Sequence, residues 1–187
     1  MKLLKTLILK KTIVIISRDG IHNFSTKTVA KEAGCSEALI YHHFGTKRNL
    51  IDSCYSYISQ KLQESLPSEY PADGDIMATI WGALLGFLGK DSDLARFILM
   101  YMLEINDGIP EGLEGLKDAI SSRCKGMDPE YLEEFSVQAT RTFVLTACIH
   151  SIDRSGSNCR FEEQYRGLLF QVADGISDCT PERSKTE

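Results

Sequence analysis

The chain gathers hydrogen-bonding side chains between Ser36 and His43: Ser36, Glu37, Tyr41, His42 and His43, with Leu39 among them. At helical spacing these point outward, while Ile40 and Phe44, four apart, share the opposite side and can seat the helix on its neighbours. A helix this short is not stable alone, so its polar face reads as one carried on a support and offered to a partner, as a helix-turn-helix offers side chains to the major groove of DNA. Lys47 follows in the first turn of the next helix. A cation there opposes the helix dipole, but its ammonium and the free N–H groups together suit a phosphate. His42 and His43 are adjacent, and neighbours on a helix do not face each other, which argues against a shared metal.

The flanking residues supply the support. Ser25 or Thr26 can cap a first helix whose apolar edge is Val29, Ala30 and Ala33. Gly34 ends it, because glycine enters the left-handed conformation without a Cβ penalty. Cys35 anchors the turn, Ser36 caps the second helix, which runs to about Phe44, and Thr46 caps a third.

From Thr28 to Lys47 the pattern Thr-Val-Ala-x-x-Ala-Gly-Cys-Ser-x-x-x-Ile-Tyr-x-His-Phe-x-x-Lys resembles the DNA-binding signature of the TetR family of transcriptional regulators. The similarity reaches back over the preceding helix and forward to about Leu62; the rest of the chain agrees only in length and helical character. The resemblance implies that Thr26, Lys27, Thr28, Tyr41 and Lys47 bind phosphates, whereas Ser36, Glu37, Ala38, Leu39, His42 and His43 face base edges. Phosphate contacts position and base contacts specify, so the second group would set the operator. Glu37 suits a cytosine amino group and Leu39 a thymine methyl. Lys11 and Thr12 depart from the family pattern, which carries small residues there.

Charge is divided unevenly along the chain. The overall charge is −5, yet residues 1–62 hold ten Lys and Arg against four acids, a net +6, and the remainder is therefore net −11. A basic head on an acidic body expects nucleic acid at one end only. The six cysteines, Cys35, Cys54, Cys124, Cys148, Cys159 and Cys179, contain no C-x-x-C pair. Their irregular spacing fits neither zinc nor a secreted disulfide scaffold, so they read as reduced thiols in a cytoplasmic protein. Lys10 and Lys11 break the apolar opening run, and no small-residue cleavage site follows, which argues against a signal peptide. The uncharged run Ile76 to Gly89 is 14 residues long. As helix it would span about 21 Å, short of a bilayer core of about 30 Å, so it reads as buried.

The fold class expected is all-α: an N-terminal three-helix DNA-binding domain, residues 1–66, with its helix-turn-helix at about 25–44, then a larger helical domain, residues 67–187, for ligand binding and dimerisation. A first helix from about Leu4 to Arg18 packs behind the reader and offers Lys10 or Lys11 to the DNA backbone; its β-branched run Ile13 to Ile16 would also suit a strand. A long helix from Lys47 to about Leu66 is the natural lever, and Pro67, Pro71 and Gly74 break the chain after it. In the body, stripes at Met77 to Leu88, Leu94 to Ile105, about Glu111 to Cys124, about Pro129 to Ile152 and about Phe161 to Ile176 each read as helix. Gly82 and Gly86 share a face, either for close approach of a neighbouring helix or to leave room for a ligand. Trp81, Phe97, Met100, Tyr101 and Phe143 could line a pocket with Glu104, Arg141 or His150 as its few polar groups, although a lone histidine such as His150 reads first as a core or surface residue.

No Gly-rich phosphate loop, nucleophile elbow or carboxylate pair beside a histidine is present, and Cys148 and His150 lie about 200° apart on a helix, so no enzyme, cofactor or metal is expected. The resemblance implies a homodimer through about 129–152 and 161–176, bound to an inverted-repeat operator and released by a small, largely apolar effector. The alternative is a helical carrier protein or an enzyme in which Ser25 to Phe44 is only structural; failure to bind DNA would favour it.

Overall fold

The computed structural model describes residues 2–66, 76–105, 109, 113–123 and 128–154 of the 187. Eight helices run through these residues: α1 (Lys2–Asp19), α2 (Thr26–Ala33), α3 (Glu37–Phe44), α4 (Lys47–Ser65), α5 (Ile76–Leu88), α6 (Ser92–Glu104), α7 (Glu114–Arg123) and α8 (Pro129–Arg154). No strand occurs among the described residues. The class is all-α, with the helix-turn-helix domain first and a helical body after it. No helix among them is long and apolar enough to cross a membrane.

The first helix does more than back the reader. It packs against α2 and α4 on one side and against α6 of the body on another. Ile8, Ile13, Ile15 and Ile16 are all at most 2% exposed, so the helix is buried on several faces. This settles the β-branched run as helix. Its intrinsic penalty is a few tenths of a kcal/mol per residue, against about 1.5–3 kcal/mol for burying each side chain. Thr12 sits in the same interior and returns its hydroxyl to the Ile8 carbonyl at 2.8 Å. Ser17, at the other end, donates to Asp93 Oδ1 at 2.6 Å, tying α1 to the start of α6.

In the body, α8 packs against α5, α6 and α7, and Leu84, Phe97, Leu116, Val144 and Ala147 are buried there. The buried side chains of head and body form one continuous core. The segment expected to separate them, residues 67–74, lies outside the described residues, as does the expected helix at 161–176. Of the two uses expected for Gly82 and Gly86, close approach of a neighbouring helix finds no partner among the described residues, where no atom comes within 4 Å of a Cβ built at either.

Candidate nucleic-acid interface

Each turn of the reader is fixed by a local hydrogen bond. Ser25, with extended backbone, caps α2 by accepting from the Thr28 N–H at 3.1 Å. At the other end Gly34 has φ 65° and ψ 35°. Its N–H donates to the Lys31 carbonyl at 3.3 Å and the next N–H, of Cys35, to the Ala30 carbonyl at 3.0 Å. This Schellman pair satisfies two carbonyls that the helix end would leave open. Ser36 then caps α3 by accepting from the Leu39 N–H at 3.2 Å. Gly45, at φ 75° and ψ −58°, lets the Thr46 N–H return to the Phe44 carbonyl at 2.9 Å in a γ-turn. Thr46 caps α4 from the Asn49 N–H at 3.0 Å. Ile40 and Phe44 are buried and seat α3 on the core.

The outward face follows the expected division. Ser36, Glu37, Ala38, Tyr41 and His42 are exposed, and Leu39 and His43 are half-buried. The His42 and His43 rings stand 5.6 Å apart and tilted by 57°, so they do not converge on a common point. Across the turn, three expected DNA contacts are joined to one another. The Thr26 hydroxyl donates to Glu37 Oε1 and lies 3.3 Å from the Tyr41 hydroxyl. Thr26 is only 6% exposed, which leaves its N–H, in the first turn of α2, as the group best placed to meet a phosphate. Lys27 is exposed; Thr28 is half-buried and shares a 2.8 Å hydrogen bond with the Ser25 hydroxyl.

Lys47 has a partner that its sequence position does not suggest. Its Nζ lies 4.3 Å from the centroid of the buried Phe24 ring, a cation–π contact that offsets the adverse dipole at the start of α4. Lys5 stands similarly over Phe44 at 5.4 Å. Lys10, Lys11, Lys27, Lys31 and Lys47 make no ion pair among the described residues, whereas Arg18 is engaged by Asp19 at 2.7 Å and Glu32 at 3.5 Å. Five lysines of the head thus hold no acid among the described residues.

Behind the reader, α4 and α6 meet in an aromatic joint. Tyr55 and Tyr101 stack with centroids 4.0 Å apart and planes within 16°. The Tyr101 hydroxyl donates to Asp52 Oδ1 at 2.9 Å, and Arg48 Nε bonds both oxygens of Asp52 at 3.0 and 3.1 Å. Arg48 also reaches the Ile105 carbonyl at 3.5 Å, and His22 meets Glu104 at 2.6 Å. Burial, reinforced by Asp52, pushes the Tyr101 phenol up to about 12; burial likewise pushes Tyr55 up. An open groove of about 480 Å³ runs between α1 and α4, lined by Lys5, Asn49, Asp52 and Tyr57 among others.

The body residues expected to line a pocket fall into two groups. Phe97 and Tyr101 are buried and stack at 6.1 Å on the α4 side, and Arg141 Nη2 donates to the Met102 carbonyl at 3.0 Å beside them. Trp81 instead packs edge-on against Phe143 at 5.0 Å, with His150 at 6.3 Å, on the α5 side. Arg141 and Phe143 are two apart, about 200° around α8, which explains the division. Met100 is half-buried, and Glu104 is exposed and held by His22.

Residues 8–54 match the family model of bacterial regulatory proteins, tetR family. Residues 8–54 are a TetR-type domain. The matched span runs from the first core isoleucine through the reader to Cys54 of α4, so it covers the capped α2–turn–α3 unit and the start of α4. The chain is 29% identical over 109 residues to the HTH-type transcriptional regulator BetI of Vibrio campbellii, covering 55% of each chain. It is 31% identical over 90 residues to the nucleoid occlusion factor SlmA of Photorhabdus laumondii, covering 46% of this chain and 45% of that one. The chain spans about half the length of the curated relatives it matches. A solved structure described as a tetR family transcription regulator from Shewanella sp. PV-4 superposes with a TM-score of 0.68 over 90% of this chain and 95% of that one, at 19% identity. A TetR-like transcriptional regulator from Rhodococcus sp. RHA1 does so at 0.63, over 94% and 98%, at 15% identity. These two likenesses extend the shared fold to the body.

Proposed function

We propose that this chain is a ligand-responsive transcriptional regulator of the TetR family, a repressor that binds an inverted-repeat operator as a homodimer. The single observation behind the reading is the capped α2–turn–α3 unit, whose exposed face carries Ser36, Glu37, Ala38, Tyr41 and His42, near lysines that make no ion pair among the described residues. A face of eight helical residues reads few base pairs, and two copies on a twofold axis would read two half-sites about 34–36 Å apart, or a multiple of that. The copies would pair through residues 129–152 and 161–176. Lys27, Lys47, the Tyr41 hydroxyl and the first N–H groups of α2 hold phosphates; Ser36, Glu37, Ala38, Leu39, His42 and His43 meet bases. Glu37, already accepting from Thr26, meets a base as a pre-oriented acceptor.

A small, largely apolar effector in the body, near Phe97, Met100, Tyr101 and Arg141 on one side and Trp81 and Phe143 on the other, would release the operator. The joint of Tyr55, Tyr101 and Asp52 gives α4 a direct route by which a change at α6 moves the reader. Coupling of this kind is worth about 1–3 kcal/mol and is reciprocal, so the operator would weaken the effector by the same factor.

Selection from a random pool of duplex DNA at two salt concentrations tests this reading. Recovery of an inverted repeat, lost in the Tyr41→Phe, Lys47→Ala double variant, supports it. Salt-sensitive binding with no enriched sequence, or none at all, favours a carrier protein in which α2 and α3 are only structural.

A further inference from the structure

The reader holds one polar contact that its caps do not require. Thr26 opens α2 and Glu37 opens α3, and the hydroxyl of the buried Thr26 donates to Glu37 Oε1 across the turn. The same hydroxyl oxygen lies 3.3 Å from that of Tyr41, which is four residues on from Glu37 and therefore on the same side of α3. A threonine hydroxyl has one proton and two acceptor sites. Because Thr26 gives its proton to Glu37, the phenol of Tyr41 is the donor in the second contact. At 3.3 Å that contact is longer than an ordinary O–H···O bond of about 2.5–3.0 Å. Tyr41 can therefore exchange Thr26 for a phosphate at little cost, while Glu37 keeps its donor.

We propose that Thr26, which meets no base itself, sets the base that Glu37 reads: it holds the carboxylate in one pose, and that pose accepts from the N4 amino group of a cytosine in each half-site. This rests on the regulator reading above and adds a positioning residue to it. Glutamate is among the side chains with the most rotamer freedom to lose, and an exposed one would lose it on meeting DNA. Thr26 removes that cost when the chain folds. It also fixes direction, since a carboxylate has two oxygens and about four acceptor sites, and engaging Oε1 leaves Oε2 for the groove. At its major-groove edge cytosine presents only a donor, whereas guanine and thymine present acceptors and adenine sets one beside its amino group. A mobile glutamate could turn from a wrong base towards water. A tethered one meets the wrong base with its charge unpaired, so the tether contributes discrimination as well as affinity. Thr26 is only 6% exposed, too buried for its hydroxyl to reach a base, so its influence passes through Glu37.

Titration of the full chain against the operator recovered by selection, followed by fluorescence anisotropy, tests the role of Thr26. Selection with Glu37→Ala first identifies the base pair whose preference is lost, and duplexes carrying each of the four pairs there, in one half-site, are then compared. The wild type should favour cytosine by about tenfold, the order expected of one specific base contact. Thr26→Val keeps the shape of the buried side chain and removes the hydroxyl; it should reduce that preference to about threefold or less and leave the other positions as they were. Thr26→Ser retains the donor and should retain the preference. In the Glu37→Ala background, Thr26→Val should change nothing further at that position. Glu37→Gln leaves Thr26 in place: the amide oxygen takes the Thr26 proton and the NH2 faces the groove, so the preference should move to a base that presents an acceptor. Cytosine still preferred in Glu37→Gln, an unchanged preference in Thr26→Val, or no position affected by Glu37→Ala overturns the proposal and leaves the regulator reading standing. Equal weakening of all four duplexes by Thr26→Val does the same and makes Thr26 a support of α2 alone. A wild type that selects no operator sinks both readings together.

Discussion

The hydrogen bond from Tyr101 to Asp52 is the best place to measure how firmly head and body are joined. Tyr101→Phe removes one hydroxyl and preserves the 4.0 Å stack on Tyr55, so the loss is that of the hydrogen bond alone. A neutral donor to a charged acceptor is worth about 1.5–3 kcal/mol when both are shielded. Asp52 is not shielded: its side chain is 39% exposed and retains Arg48 after the substitution. The expected cost is therefore near the ordinary value, about 1 kcal/mol. Urea unfolding of the wild type, Tyr101→Phe, Asp52→Asn and the double variant gives the coupling energy directly. It should be about 0.5–1.5 kcal/mol, with each single variant losing more than the second substitution adds. A coupling energy indistinguishable from zero would refute the joint as a physical link, even if Tyr101→Phe alone destabilised the chain. In that case the loss would have come from the aromatic packing.

Four further outcomes follow from the same geometry. Gly34→Ala should lower the stability by about 1 kcal/mol or more, read by thermal unfolding, because φ is 65° and only the backbone objects: nothing lies within 4 Å of the new Cβ. Gly82→Ala, in open space within α5, should raise it by about 0.5–1 kcal/mol; a fall would show that another surface packs there. Ser36→Ala removes the cap of an eight-residue helix, at about 1 kcal/mol in unfolding, and should weaken operator binding by more than stability loss explains, since α3 then frays at its reading end. Lys47→Ala should reduce the slope of log K against log salt by about 1; an unchanged slope would remove Lys47 from the phosphate contacts.

The alkaline limit of stability also has a defined sign. The folded chain holds the Tyr101 proton more tightly than the ordinary phenol, whose value is 10.0. The contribution of Tyr101 is thus complete below about pH 10 and is lost as pH rises towards about 12. Tyr55 shifts in the same direction, so Tyr101→Phe should reduce but not abolish the loss of stability over that range, as followed by circular dichroism.

The reader was legible because its information is local. Capping serines, a glycine at a left-handed turn and an apolar pair four apart each act within a few residues, so Ser25, Gly34, Ser36, Ile40 and Phe44 could be placed from spacing alone. The charge division was equally open to inspection, being a sum over side chains. The partners of those side chains were not. That Thr26 would donate to Glu37 across the turn, or that Phe24 would stand under Lys47, depends on how two helices cross, and no periodicity encodes a pairing eleven or twenty-three residues apart.

The first helix shows the limit most clearly. Its apolar residues gave the helix, but not the number of neighbours that would bury it, and it emerged as the element shared by head and body through α2, α4 and α6. The two glycines of α5 show the same limit: their spacing allows close packing or open room, and among the described residues they face open space. Sequence alone determined the helices of the head, the caps of α2, α3 and α4, the outward face of α3 and the basic head, because these follow from short-range sterics, hydrogen bonding and charge. Only the tertiary structure decided how Phe24 comes to stand under Lys47, how Tyr101 reaches Asp52 and how Tyr55 stacks on Tyr101, because each is a contact between residues that only packing brings together.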